Sequence, residues 1–112
     1  MGSVVIKKSK IGQFDNGKGV FANKDFKKGE MVITYNLKPL TTKEFDKLPK
    51  KEKNFTHKHF GVIYLYLSPE RYVNHSSNPN TLQDLKKGRD VAKKDIKKGE
   101  EITTNSTKDE IS

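Results

Sequence analysis

Residues 71–81, which read RYVNHSSNPNT, combine one histidine with several hydroxyl and asparagine side chains. His75 next to Ser76 invites a nucleophilic mechanism, but adjacent residues do not face each other productively, and a triad needs a third group that the fold must place. His57 and His59 invite a metal site, yet the chain has no cysteine and no carboxylate triad near them. Neither His75-Ser76 nor His57 with His59 therefore predicts a nucleophile or a metal site, and we expect no bound metal.

A second stretch with chemical potential is Gly17-Lys18-Gly19. A single G-x-G does not make a dinucleotide fingerprint, since no third glycine or helix follows it. Between two strands, however, such a segment can bring backbone amides close to a ligand, because a glycine has no Cβ to obstruct the approach.

The elements that would position these residues are mostly short strands and turns. Val4–Lys7 and Gly61–Leu67 are β-type runs, and Asn16-Gly17 is a hairpin signal. Residues 24–30 and 94–100 share the pattern K-D-x-K-K-G-E. Each copy predicts a turn in which a hydrophobic residue pins the chain, the glycine supplies positive φ and the glutamate opens a strand. The pattern indicates a mainly β fold.

One short helical insertion is predicted inside this β framework. Thr41 and Glu44 form a capping box that starts a helix, and Pro49 ends or restarts it. The following run, KKEKNFTHKH, is expected to continue helically, so the insertion spans about residues 41–59. No long helix is available as a crossover between parallel strands, which argues against a Rossmann domain.

The length and composition predict one domain that covers residues 1–112. Only 31% of the residues are hydrophobic and 33% are charged, so the core must be thin. The sequence has no apolar run of membrane-spanning length and no signal-peptide pattern at its start. Together with the absence of cysteine, these features lead us to expect a soluble intracellular protein, cytoplasmic or nuclear, in a host nucleus if it is viral or an effector.

The net charge of +9 has two interpretations that the sequence leaves open. It favours a weak attraction to nucleic acid or another acidic partner. The positive charges, however, are mostly lysines in scattered pairs, and arginine occurs only at Arg71 and Arg89. Since arginine forks are the usual readers of bases and phosphates, a solvated lysine-rich face is the other interpretation.

The motifs become specific in combination. G-K-G-V-F-A, K-D-F-K-K-G-E, R-Y-V-N-H-S-S-N-P-N and K-D-I-K-K-G-E-E-I-T follow one another in a single small chain. This order closely resembles the SET-domain family of S-adenosylmethionine-dependent protein lysine methyltransferases, over about residues 4–107, and is most similar to its minimal bacterial and viral type without zinc-binding flanks. The resemblance implies a β-clip-like fold of small sheets around a knot-like crossing, in which the C-terminal segment passes beneath a loop near Asn-His-Ser.

The resemblance also implies roles for individual residues. The backbone of Gly17, Lys18 and Gly19 would hold the methionyl part of S-adenosylmethionine, Asn74 and His75 would bind the cofactor, and main-chain groups of His75 would meet the adenine. Arg71 and Tyr72 would line the same cleft. Tyr35 stands where the family often carries a catalytic tyrosine that orients the lysine amine, and the alternative is a strand aromatic residue that caps the core. The implied partner is a protein with an accessible lysine, such as a histone or histone-like tail.

Two positions depart from the family pattern. Ser106 stands where a C-terminal tyrosine is expected, and Gln83 stands where the substrate channel often has an aromatic residue. With Tyr35, these residues would form the channel, and a short tail of about residues 107–112 follows. The sequence thus predicts a lysine methyltransferase. The alternatives are an impaired SET domain that binds cofactor or protein tails, and a basic nucleic-acid or chromatin-associated protein. The missing channel wall also raises the hypothesis of a homodimer that borrows an aromatic residue from its partner.

Overall fold

Short strands alternate with turns along the chain, as the turn-rich sequence predicts. The computed structural model describes residues 3–11, 17–59, 61–84, 86–105 and 110–111. The strands are β1 (Val4–Lys8), β2 (Lys18–Ala22), β3 (Met31–Thr34), β4 (Lys38–Leu40), β5 (Thr56–His59), β6 (Val62–Leu65), β7 (Asn74–His75), β8 (Thr81–Asp84), β9 (Arg89–Ala92), β10 (Glu101–Thr104) and β11 (Glu110–Ile111). The helices are α1 (Thr42–Asp46) and α2 (Lys50–Lys53), and a 3-10 turn spans Glu70–Tyr72.

The strands within these ranges form three small sheets, with orders β1-β2-β10-β7, β11-β8-β9-β3 and β4-β6-β5. Strands β1 and β2 pair antiparallel, as the hairpin signal predicts, although Asn16 lies outside the described residues. Part of the predicted C-terminal tail also joins a sheet, since β11 pairs in parallel with β8 opposite Gln83 and Asp84. The expected mainly β fold of small sheets is confirmed.

Strand β10 lies against both ends of the loop that carries the Asn-His-Ser motif. It pairs antiparallel with β2 and in parallel with β7, with Thr103 opposite Asn74. At the far end of the loop, the Asn80 side chain accepts from the Thr103 N–H (2.9 Å) and donates to the Glu101 carbonyl (2.8 Å), while the Thr81 hydroxyl donates to the Thr103 carbonyl (2.7 Å). The loop is therefore attached to β10 at both ends, which fixes His75 against the C-terminal strand.

The two K-D-x-K-K-G-E turns lie against each other with reciprocal contacts. Phe26 and Ile96 form a two-way backbone bridge, and their side chains are 2% and 1% exposed. The Lys28 N–H donates to Asp95 (2.9 Å), and the Lys98 N–H donates to Asp25 (2.8 Å). Both turn glycines have positive φ, as predicted. The buried members of this pair join the main core, which contains Val20, Ala22, Phe26, Val32, Ile33, Val73, Ala92, Ile96 and Ile102.

The helical insertion is shorter than the predicted range of 41–59. The capping box at Thr41 and Glu44 is present, and α2 restarts after Pro49. The prediction of helix through residue 59 is wrong, because α2 ends at Lys53 and residues 56–59 form β5 against β6. The β-prone β6 offers a full set of backbone partners, and this pairing outweighs the helical propensity of the lysine-rich run.

Candidate functional site

A cavity of about 180 Å³ lies where the ends of β3, β7, β8 and β9 meet the insertion. Tyr35 enters it directly after β3, where its N–H donates to the Gly88 carbonyl in the turn between β8 and β9 (2.8 Å). The tyrosine ring is half-buried and packs against the core. The lining residues are Tyr35, Asn54, Phe55, Tyr66, Glu70, Arg71, Val73, His75, Gln83, Asp90 and Thr104.

Tyr35, Asp90 and Gln83 form a hydrogen-bonded cluster in this cavity. Asp90 on β9 lies opposite Gln83 on β8 in the antiparallel register. The Tyr35 hydroxyl donates to Asp90 Oδ1, and the Gln83 side chain also hydrogen-bonds to Tyr35. Burial raises the pKa of Asp90 to about 7, in opposition to the Tyr35 hydrogen bond. Burial, followed by the Asp90 charge, raises the pKa of Tyr35 so that its phenol stays protonated.

The same cavity contains acceptors that no described residue satisfies. Glu70 is 7% exposed, and its Oε2 accepts from the N–H groups of Asn36 (2.7 Å) and Leu67 (3.0 Å). Within the described ranges, Glu70 Oε1 and Thr104 Oγ1 are buried without a hydrogen-bond partner. Burial raises the pKa of Glu70. Buried polar atoms are normally paired, so these two atoms suit a ligand that carries N–H donors.

Asn74 attaches the start of the Asn-His-Ser loop to β2 and β10. Its fully buried Nδ2 donates to Glu101 (2.9 Å), the Lys18 carbonyl (3.1 Å) and Ser9 Oγ (3.2 Å). Its Oδ1 is a further buried acceptor for which residues 3–11, 17–59, 61–84, 86–105 and 110–111 supply no partner. Asn74 is thus both a structural anchor and an open acceptor.

Packing explains the glycine at position 19, whereas the sequence suggested that it lets the backbone approach a ligand. A Cβ at this position would lie 2.5 Å from Glu101 Oε2, 2.7 Å from Ser9 Cβ and 3.1 Å from Asn74 Nδ2. The missing Cβ therefore lets β2 pack against this polar cluster. Gly17 begins the same segment with a φ of 76°.

The predicted cofactor-binding residues are distributed over two neighbouring cavities. Lys18 and Tyr72 line a more open one of about 620 Å³, together with Ile6, Lys7, Lys8 and Ser68, and Lys18 Nζ lies 5.8 Å from the Tyr72 ring centre. Arg71 and His75 line the inner cavity. Asn74 lies between the two groups, because it contacts the Lys18 carbonyl and precedes His75.

Arg71 also has a structural function that the sequence did not reveal. Its guanidinium forms a salt bridge with Glu52 (2.8 Å), its Nε donates to the Tyr66 carbonyl (2.9 Å), and its Cζ lies 4.5 Å from the Phe55 ring centre. These contacts attach the insertion to the cavity wall. Ser106, the third predicted channel residue, lies outside the described residues.

Sequence reasoning identified Tyr35 and Gln83 but missed Asp90, Glu70, Tyr66 and Thr104. Asp90 left one weak signal, since it shares the inward face of β9 with the buried Ala92, at a position where a strand usually carries an apolar residue. No sequence feature indicates that Glu70 is a site residue, because the backbone amides that bind it come from a distant turn and from its own loop. His57, which the sequence offered for a metal site, stacks against Tyr66 with ring centres 6.3 Å apart.

Comparisons with known proteins agree with this fold. The family model described as the SET domain matches residues 17–105. A crystal structure of a putative histone methyltransferase from Plasmodium falciparum has the same fold, at a TM-score of 0.71 and 20% identity, with 95% of this chain and 94% of that chain covered. No curated protein matches the sequence significantly.

Chains of the Chaetomium thermophilum Polycomb Repressive Complex 2 are also similar. A humanized mutant bound to an inhibitor gives a TM-score of 0.74 at 26% identity, and the autoinhibited ctPRC2 bound to S-adenosylmethionine gives 0.71 at 26%. In both cases 96% of this chain is covered but only 15% of the other chain, so this chain corresponds to a small part of those proteins. With a family model that matches most of its length and a fold of the same kind, the chain belongs to the SET domain family.

Proposed function

We propose that the chain is an S-adenosylmethionine-dependent protein-lysine N-methyltransferase. The observation that carries the proposal is the inner cavity, in which the Tyr35 hydroxyl faces Gln83 and Asp90 and which is also lined by His75, from the Asn-His-Ser loop. Such a cavity brings the cofactor-binding motif and an amine-binding hydroxyl to one place. The catalytic task is mainly to align and desolvate the two reactants.

The polar groups around Asn74 fit the methionyl end of S-adenosylmethionine. In the part of the chain that the structure describes, Asn74 Oδ1 is a buried acceptor without a partner, as the cofactor ammonium group requires. The open cavity beside it is lined by Lys7, Lys8 and Lys18, whose cations suit the cofactor carboxylate. When bound, S-adenosylmethionine supplies an electrophilic methyl group on a sulfonium ion. Gly17, Gly19, Tyr72, Arg71 and His75 would complete the binding site.

The inner cavity fits the lysine side chain. Its rings, Tyr35 and Tyr66, lie 5.8 Å apart between centres and would enclose the aliphatic stem. Glu70 and Thr104 would meet the amine. Gln83, which stands where a second aromatic channel residue was expected, hydrogen-bonds to Tyr35. Ser106 would complete the channel.

The proposed substrate is a protein with an accessible lysine, with a histone or histone-like tail as the first class to test. The similar Plasmodium protein is a putative histone methyltransferase, and the fungal relatives are chains of Polycomb complexes. A cytoplasmic or nuclear location, a homodimer and weak attraction to nucleic acid stay predictions. No helix in the described ranges is long and apolar enough to span a membrane.

Incubation with methyl-labelled S-adenosylmethionine and a panel of histones and lysine peptides tests the proposal. We expect label on lysine ε-nitrogens, identified by mass spectrometry, and its loss in Tyr35→Phe by on the order of 10²-fold. Binding of S-adenosylhomocysteine, measured by calorimetry, should be unchanged in this variant. Cofactor binding without transfer to any substrate would overturn the proposal.

A second candidate is a SET domain that binds cofactor or protein tails without turnover. Gln83 favours it, because this buried amide occupies a position where an aromatic channel wall was expected. The variant Gln83→Tyr separates the candidates. If the wild type binds S-adenosylhomocysteine but transfers no methyl group, and the variant gains transfer, the chain is an impaired enzyme. Measurable wild-type turnover excludes this candidate.

A further inference from the structure

The Tyr35 hydroxyl donates its hydrogen bond to an acidic residue, although a neutral acceptor would be enough to orient this phenol toward a substrate. Its proton points to Asp90 Oδ1, and the Gln83 side chain bonds to the same phenol. Asp90 is 2% exposed and lies in the strand interior. The two arginines of the chain form salt bridges with Glu52 and Asp84.

We propose that Tyr35 and Asp90 form a relay that carries a proton from the ammonium group of the substrate lysine to the Asp90 carboxylate. The inference rests on the proposed function, because it assumes that the inner cavity receives a lysine side chain. Asp90 acts through Tyr35 and is a positioning and proton-accepting group, whereas Tyr35 meets the amine.

The relay is balanced in atoms and charge. One N–H bond of the ammonium breaks as an O–H bond forms on Tyr35 Oη, and the original Tyr35 proton passes to Asp90 Oδ1. Tyr35 is neutral before and after the step, the amine gains a free lone pair, and Asp90 becomes a carboxylic acid. Because Asp90 is only 2% exposed, this neutral pair is favoured over two buried charges.

Glu70 supports the same assignment. Among the described residues its buried Oε1 has no hydrogen-bond partner, so it can accept from the ammonium group while the relay removes another proton. Burial first, and then the negative charge of Glu70, raise the pKa of Asp90, which makes Asp90 a stronger proton acceptor than an exposed aspartate. The cavity thus attracts the ammonium form and removes one proton from it.

The groups that face Asp90 come from several elements. Tyr35 follows β3, Gln83 lies on β8, and Glu70 lies in the 3-10 turn. Tyr66, Arg71 and His75 line the same cavity, and Arg89 with Asp84 lies at the end of the strand pair. Burial and Glu70 set the pKa of Asp90 near 7, so the relay should work best above this pH.

The first test is Asp90→Asn, which keeps an oxygen acceptor for Tyr35 but cannot take the proton. We expect single-turnover methyl transfer to fall on the order of 10²-fold and the wild-type rise in rate through about pH 7 to disappear. Asp84→Asn is the matched control, since Asp84 is also buried in this sheet but does not line the cavity, and it should keep the wild-type pH profile. Wild-type rates and pH dependence in Asp90→Asn would overturn the relay.

The second test needs no methyl transfer. Carboxyl ¹³C NMR of the wild type, with and without n-butylamine as a lysine mimic, should show Asp90 becoming protonated on amine binding at about pH 8. If butylamine protonates Asp90 but the wild type methylates no peptide, the relay is supported and the proposed function fails. If butylamine leaves the Asp90 signal unchanged, the relay is overturned, whatever the transfer activity.

Discussion

At the scale of single residues, Asp90 shows how a side chain inside a strand acquires unusual acid–base behaviour. Burial between β8, β9 and the Tyr35 ring raises the pKa of Asp90 from an ordinary 3.8 to about 7. The folded protein therefore holds a proton on Asp90 at pH values where the unfolded chain has already lost it. Between these two values, a rise in pH must favour unfolding.

Replacement of Asp90 by asparagine should remove this pH dependence. We expect the free energy of unfolding of the wild type, relative to Asp90→Asn, to fall by about 2–4 kcal/mol between pH ~4 and pH ~8. Urea unfolding of both proteins at these pH values measures the difference, and Asp84→Asn should follow the wild type. An equal pH dependence of the free energy of unfolding in wild type and Asp90→Asn would show that folding does not raise the pKa of Asp90.

Gly19 is a residue whose smallness is required by packing. An alanine Cβ at this position would collide with Glu101 and Ser9 and crowd Asn74, so Gly19→Ala should cost about 1–3 kcal/mol of stability and weaken S-adenosylhomocysteine binding. Gly61→Ala is a comparison variant, since a Cβ there has no atom within 4 Å and only backbone strain at a φ of 78° opposes it. Urea unfolding and calorimetry test both variants. Equal losses of cofactor affinity in the two variants would contradict the packing argument.

At the scale of elements, local signals predicted what local contacts determine. The capping box at Thr41 and the paired turn glycines are correct because the deciding hydrogen bonds lie within three or four residues. Strand β5 was missed because its stability comes from pairing with β6, and Glu70 and Asp90 were missed because burial is a property of the assembled sheets. Tyr35 and Gln83 were found only through the family motif, which already contains such long-range information.

The two K-D-x-K-K-G-E turns give a prediction about symmetry. Asp25 and Asp95 each accept one hydrogen bond from the opposite turn, at 2.8 Å and 2.9 Å. Asp25→Ala and Asp95→Ala should therefore destabilise the protein by similar amounts, about 1 kcal/mol each, as measured by urea unfolding. Asp46→Ala, at the exposed end of α1, is the control and should change stability by less than about 0.5 kcal/mol. A large effect from only one of the two turn aspartates would show that the contacts are not equivalent.

At the scale of the whole molecule, charge is separated between interior and surface. The chain carries a net charge of +9, while Glu70 and Asp90 are buried in the inner cavity. Under the proposed function, a protein segment would approach a chain of net positive charge before its target lysine enters the cavity that contains Glu70 and Asp90. The surface should therefore select for the residues that flank the target lysine, and the cavity for the lysine itself.

Acidic flanks should accordingly favour methylation at low salt. Three peptides with one central lysine and acidic, neutral or basic flanks isolate this effect, and we expect KM to rise in that order at about 20 mM salt. At about 500 mM salt the differences in KM should largely disappear, because salt screening limits the interactions of surface charges to a few ångströms. Charges inside the cavity are screened much less. The kcat values should remain similar, since all three peptides present the same amine to Tyr35. A lower KM for the basic peptide at low salt would show that an acidic region of the surface, rather than the positive charge, governs the approach of the substrate.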